Sequence, residues 1–200
     1  MAELRPRLVL ASASGIRRQL LTGAGLSFDV DPADIDERAL AAKLAALSVP
    51  KRAKSLAEAK ALAVAARHQG AIAIGADQML EIDGDGLSKA RDETAARAVL
   101  IRLRGRAHHL HSGVALAKDG KVDWSFVQSA CLHVRAFTEG WLDAYMSIAG
   151  EAATKSVGAY QLEGLGVQLF ERIEGDYFTV LGLPLLPLLT ELRRLGCIED

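Results

Sequence analysis

A small, hydroxylated segment near the start of the chain, Ala11-Ser12-Ala13-Ser14-Gly15-Ile16-Arg17-Arg18, lies between an apolar run and a helical pattern. Residues such as Ser12, Ser14 and Gly15 let a ligand come close to the backbone. A helix N-terminus adds unpaired N–H donors and the positive end of its dipole. Cations are disfavoured in a first helical turn, so Arg17 and Arg18 are oddly placed unless an anion joins them, and arginine binds phosphate in a two-pronged fashion. A serine-capped helix with two solvated arginines accounts for the same residues without a ligand. In Ile72-Ala73-Ile74-Gly75-Ala76-Asp77 a carboxylate ends an otherwise apolar strand. Ligands of open α/β sheets bind at the C-terminal ends of strands, where an aspartate can hold a metal or orient an attacking water. The alternative is an ordinary turn aspartate.

Lys60 on a long helical pattern, Lys89 after a hairpin, and Glu37 in an acidic stretch each read individually as solvated surface groups. His108, His109 and His111 form a cluster, and on a strand His109 and His111 share a face. A metal site there is rejected because no nearby carboxylate completes it. Taken together, arginines and lysines suit phosphates and carboxylates suit a hard cation. The residues by themselves point to a polyphosphate site and no further.

These side chains need elements to hold them. Arg7 to Ala11 reads as a short buried strand, followed by a helix capped by Ser14 and ending near Gly23 and Gly25. Ser27 to Asp31 reads as a second strand, and Asp34-Ile35-Asp36-Glu37 as an acidic loop. Pro50 to Arg67 is a long helix rich in alanine, leucine and lysine. Ala71 to Ala76 reads as a buried strand, and Met79 to Leu87 as a hairpin turning at Asp83-Gly84. Asp92 caps a helix reaching Leu103. Ala107 to Ala117 and Lys121 to Ala136 are long strands joined at Asp119-Gly120, and Thr138 caps a helix to Ala149. A glycine-punctuated segment spans Gly158 to Gly166. A strand around Val167 to Ile173 and a helix from Pro184 to Leu195 close the chain. This order predicts a mixed α/β (α+β) fold in which helices flank a central, partly antiparallel sheet.

The 200 residues, half of them apolar, suit one domain with a real core, without repeat, low-complexity segment or linker. With 24 basic and 25 acidic side chains the net charge is -1, which argues against a non-specific nucleic-acid binder. Cys131 and Cys197 have no cysteine neighbour at ligand spacing and read as two thiols. The apolar stretch Phe178 to Leu192 is broken by Pro184 and Pro187 and falls short of the roughly 20 residues of a membrane span. Nothing at the N-terminus reads as a signal peptide, so a soluble cytoplasmic protein is expected.

The order of the motifs resembles the Maf family. The opening Leu8-Val9-Leu10-Ala11-Ser12-Ala13-Ser14-Gly15-Ile16-Arg17-Arg18-Gln19-Leu20-Leu21 looks like the family signature. Ala57-Glu58-Ala59-Lys60-Ala61 resembles its helical lysine motif, and Ile74-Gly75-Ala76-Asp77-Gln78 its aspartate motif. Ser88-Lys89-Ala90 occupies the place of the usual Gly-Lys-Pro. Gly105-Arg106-Ala107-His108, Gly158-Ala159-Tyr160, Glu171-Arg172-Ile173-Glu174-Gly175-Asp176-Tyr177 and Gly182-Leu183-Pro184-Leu185 follow in family order. The resemblance covers nearly the whole chain, residues 1–200 as one domain. It implies a two-lobed fold with a deep cleft, similar to inosine triphosphatases. It also implies a cytoplasmic, often dimeric hydrolase that cuts nucleoside triphosphates to monophosphate and pyrophosphate with Mg²⁺ or Mn²⁺.

Carried over residue by residue, Asp77 takes the general-base position. Ser12, Ser14, Arg17, Arg18, Lys60 and Lys89 take positions that hold the nucleotide's phosphates, and Glu37 joins Asp77 in holding the metal. The departures fall at Ile16, Gln78 and Glu163, where dTTP/UTP-type members have Arg, Thr and Gln. Members of the 7-methyl-GTP type have a bulky apolar residue, Gln and Glu there, which these three match better. Substitution of the usual residues at Gly15, Ile16, Ser88 and Ala90 keeps open a nucleotide-binding regulator of septum formation with little catalysis.

Overall fold

The computed structural model describes residues 6–199. The chain runs through β1 (Leu8–Leu10), α1 (Gly15–Gly23), β2 (Asp29–Val30), α2 (Glu37–Lys43), α3 (Val49–Ala65), β3 (Ile72–Ile82) and β4 (Asp85–Leu87). It continues through α4 (Glu93–Leu103), β5 (Ala107–Lys118), β6 (Lys121–Val134), α5 (Glu139–Ala149), β7 (Phe170–Glu174), α6 (Tyr177–Val180) and α7 (Leu185–Arg194). The strands form one seven-stranded sheet in the order β2-β1-β3-β5-β6-β7, with β4 pairing β3 off that path. Pairing is parallel between β1 and both β2 and β3, and antiparallel elsewhere, so the expected mixed sheet is present.

Side-chain alternation along β3 divides the interior. Ala73 packs towards α3 in an alanine-rich cluster with Ala57, Ala61 and Val64. On the other face Ile72, Ile74 and Ala76 enter a core shared with α7, while Leu80 and Ile82 enter a second core with α4 and α5. Gln78 falls on that second face between the two cores. The lobes are therefore two apolar clusters on one side of a continuous sheet, with a polar seam between them.

The long helix can lie close to the sheet because the residues under it are small. A Cβ on Gly75 would come 2.1 Å from the Ala57 carbonyl oxygen, and one on Gly113 would come 2.5 Å from that of Ala53. Ser48 precedes α3 with extended backbone, and proline fits the first turn, where a missing N–H is harmless.

Several sequence readings need correction. The strand ending at Ala76 and the hairpin beginning at Met79 are one strand, β3, so Asp77 sits in its middle rather than at its end. The acidic loop is a helix start: the Asp36 carboxylate accepts from the Ala39 amide and Glu37 begins α2. An aspartate cap followed by an acidic first-turn residue is a helix signal. The last strand begins at Phe170, because Leu165–Leu169 winds as a 3-10 turn. The short helix α6, capped by Asp176, had no sequence periodicity long enough to show it.

The histidines part company. His108 is fully buried with Nε2 2.6 Å from the Tyr160 hydroxyl, and burial holds its pKa down at about 3, so it is neutral. His109 is exposed and stacks on His111. A carboxylate does reach this group, contrary to expectation: Glu81 Oε2 lies 2.9 Å from His111 Nε2, while Ser129 Oγ engages Nδ1 at 2.7 Å. Both ring nitrogens of His111 therefore have protein partners.

Candidate active site

β3 has neighbours along one edge at its two ends only. β1 pairs with Leu8↔Ile72 through Leu10↔Ile74, and β4 pairs with Leu80↔Leu87 through Ile82↔Asp85. Between Ile74 and Leu80 that edge faces neither strand, because β1 departs at Ala11 into the turn that leads to α1. The break is a crevice bordered by a helix N-terminus, as at the switch points of open α/β sheets. The strand's own alternation then sends Asp77 to the α3 face and Gln78 to the opposite face, both bordering the break.

Arg17 enters this break and Arg18 does not. Arg17 Nη1 donates to the Ala76 carbonyl at 2.9 Å and to Ser12 Oγ at 3.1 Å, and Nε donates to the Gly182 carbonyl at 2.8 Å. A guanidinium has five N–H donors. Three of them are engaged by these acceptors, and the two on Nη2 are left for an anion. Ser14 caps α1, its hydroxyl accepting from the Arg17 amide, while Ser12 Oγ accepts from the Ser14 amide. Burial lowers the Arg17 pKa, and Asp77 and Glu37 offset this in part. The Arg18 side chain is exposed and makes no hydrogen bond or ion pair among the described residues.

Lys60 comes down from α3 to the same place. Its Nζ lies 2.7 Å from Asp77 Oδ1 and 3.0 Å from Glu37 Oε1. Lys60 and Asp77 are each only 8% exposed, so the surface-lysine reading of Lys60 is wrong. Lys60 lies among the buried residues of α3 with Ala53, Ala57, Ala61 and Val64. Burial pushes the Asp77 carboxyl above the usual range, with Lys60 and Arg17 pulling it back. Lys89 is exposed, and its ammonium pKa is pushed down by desolvation, then by the cations of Arg17 and Lys60. Glu37 and Asp77 act on it in the opposite sense. Arg17, Lys60 and Lys89 thus set three cations against the two carboxylates of Glu37 and Asp77, an excess that an anion would relieve.

Gln78 is anchored in the seam. Its Nε2 donates towards Ser112 Oγ at 3.0 Å, Thr179 O at 3.1 Å and Val180 O at 3.0 Å. Ser112 Oγ itself donates to Thr179 O, so all three partners act as acceptors and fix which way the amide faces. Asp176, Thr179 and Gly182 complete the arrangement: Asp176 caps the turn by accepting from the Thr179 amide, and Gly182 holds Arg17. Sequence reasoning assigned no role to Ser112, or to Gly182 within its family motif, since one contributes a buried hydroxyl and the other a carbonyl. Ile16 is half-buried beside Arg17. Glu163 is exposed in the turn before residues 165–169 and its side chain makes no hydrogen bond or ion pair among the described residues. Cavities of about 190 Å³ beside Tyr145 and Tyr160 and about 530 Å³ beside Pro6 and Phe28 lie apart from Asp77.

The sequence profile described as Maf-like protein matches residues 7–195. The "Nucleoside triphosphate pyrophosphatase" of Maricaulis maris is 48% identical over 194 residues, covering 97% of this chain and 99% of its own. The "7-methyl-GTP pyrophosphatase" of Rhizobium meliloti is 50% identical over 198 residues, covering 98% and 100%. Among solved structures, a HAM1 protein from Coxiella burnetii aligns with TM-score 0.44 and 18% identity over 64% of this chain and 73% of its own. The motif order, the profile match across almost the whole chain and the full-length identities place the chain in one family: it belongs to the Maf family.

Proposed function

We propose that this chain is a nucleoside triphosphate pyrophosphatase, with 7-methyl-GTP as its preferred class of substrate. The observation that carries this is the Asp77 carboxylate held at the break in the sheet edge among Arg17, Lys60 and Lys89. The names of the full-length relatives agree with it. Arg17 Nη2, Lys60, Lys89 and the N–H groups at the start of α1 hold the triphosphate in line. Asp77 accepts a proton from water as the water oxygen bonds to the α-phosphorus. The α–β bridging bond breaks and pyrophosphate departs.

Glu37 and Asp77 fit a small divalent cation, Mg²⁺ or Mn²⁺. The Lys60 ammonium already rests between their oxygens, and such ions take one or two carboxylates with phosphate oxygens and water. When bound, the ion would neutralise charge on the triphosphate oxygens.

Gln78 supports the base preference. With its amide donors engaged by the protein, only Oε1 remains for a ligand, and it can only accept. A carboxylate at Glu163 likewise only accepts, and accepts best from a cationic methylated base. Gln78 Oε1 matches an N–H group of the guanine edge, and Glu163 would add a second acceptor on this reading only by closing onto the bound base. Ile16 gives the base an apolar neighbour. Pyrophosphate release from 7-methyl-GTP, GTP, UTP, dTTP, CTP and ATP with Mg²⁺ is expected to be greatest for 7-methyl-GTP. Preference for UTP or dTTP would discard this account of base selection and keep the chemistry. Binding without turnover would favour the regulatory reading.

The same reading has the chain act as a cytoplasmic homodimer on free nucleotides. No helix among the described residues is long and apolar enough to cross a membrane.

Gly182 tests the phosphate-holding role of Arg17. Its φ is +94°, and an added Cβ would lie 3.5 Å from Arg17 Nη2. Gly182→Ala therefore combines backbone strain with a methyl group against the two free donors. Affinity for inorganic pyrophosphate, measured by calorimetry, is expected to fall about tenfold, roughly 1.4 kcal/mol, because the methyl group crowds the donors the anion would use. Unchanged affinity would mean that Nη2 is not the anion's contact.

A further inference from the structure

Glu37 and Asp77 share one cation. Lys60 Nζ reaches Asp77 Oδ1 at 2.7 Å and Glu37 Oε1 at 3.0 Å, so two carboxylates from different elements converge on a single ammonium. Without a cation there they would repel, and nearly buried Asp77 would keep only the charge of Arg17 to offset its own. Lys60 is thus what holds the pair together. Three features make the contact exchangeable. Lysine is a point charge on a flexible four-carbon stem rather than a fixed planar fork. The Glu37 side chain is 56% exposed and free to adjust. Lys60 also acts on Lys89, and with Arg17 they form a cationic group towards which a polyphosphate would draw it.

We infer that Lys60 is a place-holding cation: its ammonium occupies the position between Glu37 and Asp77 that a divalent ion takes when nucleotide binds, and leaving it delivers Lys60 to the phosphates. The inference rests on the metal-dependent reading above. The charges balance. Lys60 with two carboxylates leaves one net negative charge, whereas a divalent ion in its place neutralises the pair and frees one positive charge for the substrate. The consequence is coupling: a divalent cation alone competes with Lys60, while one arriving with phosphate does not. By linkage each ligand then tightens the other.

Mn²⁺ titrations followed by electron paramagnetic resonance, without nucleotide, test this on the full chain and on Lys60→Met and Lys60→Gln. Lys60→Met is expected to bind Mn²⁺ about tenfold more tightly than the unaltered protein, within the usual range of such couplings. Inorganic pyrophosphate is expected to tighten Mn²⁺ binding strongly in the unaltered protein and much less in Lys60→Met. A folded Lys60→Met that binds Mn²⁺ equally or more weakly overturns the inference. Should neither variant fold, the ammonium resonance of Lys60 in the unaltered protein decides. It is expected to shift on adding Mg²⁺ with pyrophosphate, and an unmoved resonance at saturation overturns the exchange. Nucleotide hydrolysis by the unaltered protein tests the parent reading separately, so hydrolysis without the Mn²⁺ gain refutes the place-holder alone.

Discussion

Asp77→Asn is expected to lower pyrophosphate release by about a thousandfold while nucleotide binding persists, the scale on which a positioned general base contributes. Asparagine has the shape of aspartate, and its carbonyl can still accept from Lys60. The contacts of Arg17 with Ala76, Ser12 and Gly182 do not involve the Asp77 side chain, so the phosphate-holding group remains in place. What is lost is the proton acceptor. The base must be unprotonated, and burial holds the Asp77 carboxyl above the usual range. Activity of the unaltered protein should therefore fall as pH is lowered through a point above ordinary carboxylate titration. The residual activity of Asp77→Asn should lack that acid limb. Steady-state rates across pH, with nucleotide affinity from calorimetry, measure both. A variant that keeps the full rate removes Asp77 from the chemistry.

Much of this arrangement was legible in the sequence, and what was missed shares a cause. Local signals gave the caps at Ser14, Asp92 and Thr138, the long helix carrying Lys60 and the paired strands joined at Asp119-Gly120. Each is set by neighbours a few residues away. Composition made Lys60 a surface lysine, because its burial depends on Gly75 letting the helix approach, a contact between distant segments. Asp77 was read at a strand end because the apolar run stops there. The strand continues because its second half is paired to β5, which a polar Gln78 does not reveal. Arg17 and Arg18 are equal in sequence. The structure separates them because Arg17 alone meets carbonyls of residues 76 and 182. Backbone acceptors have no sequence signature, so the Gly182 contribution could not have been found by pattern. The match at Ile16, Gln78 and Glu163 came from resemblance, and only the fixed direction of Gln78 adds a physical reason for it.

The close approach of α3 to the sheet makes Gly75→Ala the substitution with the largest expected effect on the whole molecule. A methyl group there would lie 2.1 Å from Ala57 O, 2.5 Å from Ala61 N and 2.9 Å from Ala61 Cβ. Two of these three atoms are helix backbone and cannot rotate aside, so α3 must lift from β3. Overpacking of a tight core commonly costs 1–3 kcal/mol, and a backbone clash belongs at the top of that range or above it. For a chain of this size about 3 kcal/mol corresponds to a fall of roughly 10 °C in Tm. The same displacement draws Lys60 away from Asp77, so hydrolysis and divalent-cation binding should change in the fraction that stays folded. Gly140→Ala supplies the contrast. Gly140 lies in α5 with nothing within 4 Å of an added Cβ, and alanine is the better helix former, so its Tm should hold or rise slightly. Thermal melts of the two variants side by side decide the matter. If Gly75→Ala melts where Gly140→Ala does, the helix is not seated on that glycine, and the burial of Lys60 needs another cause.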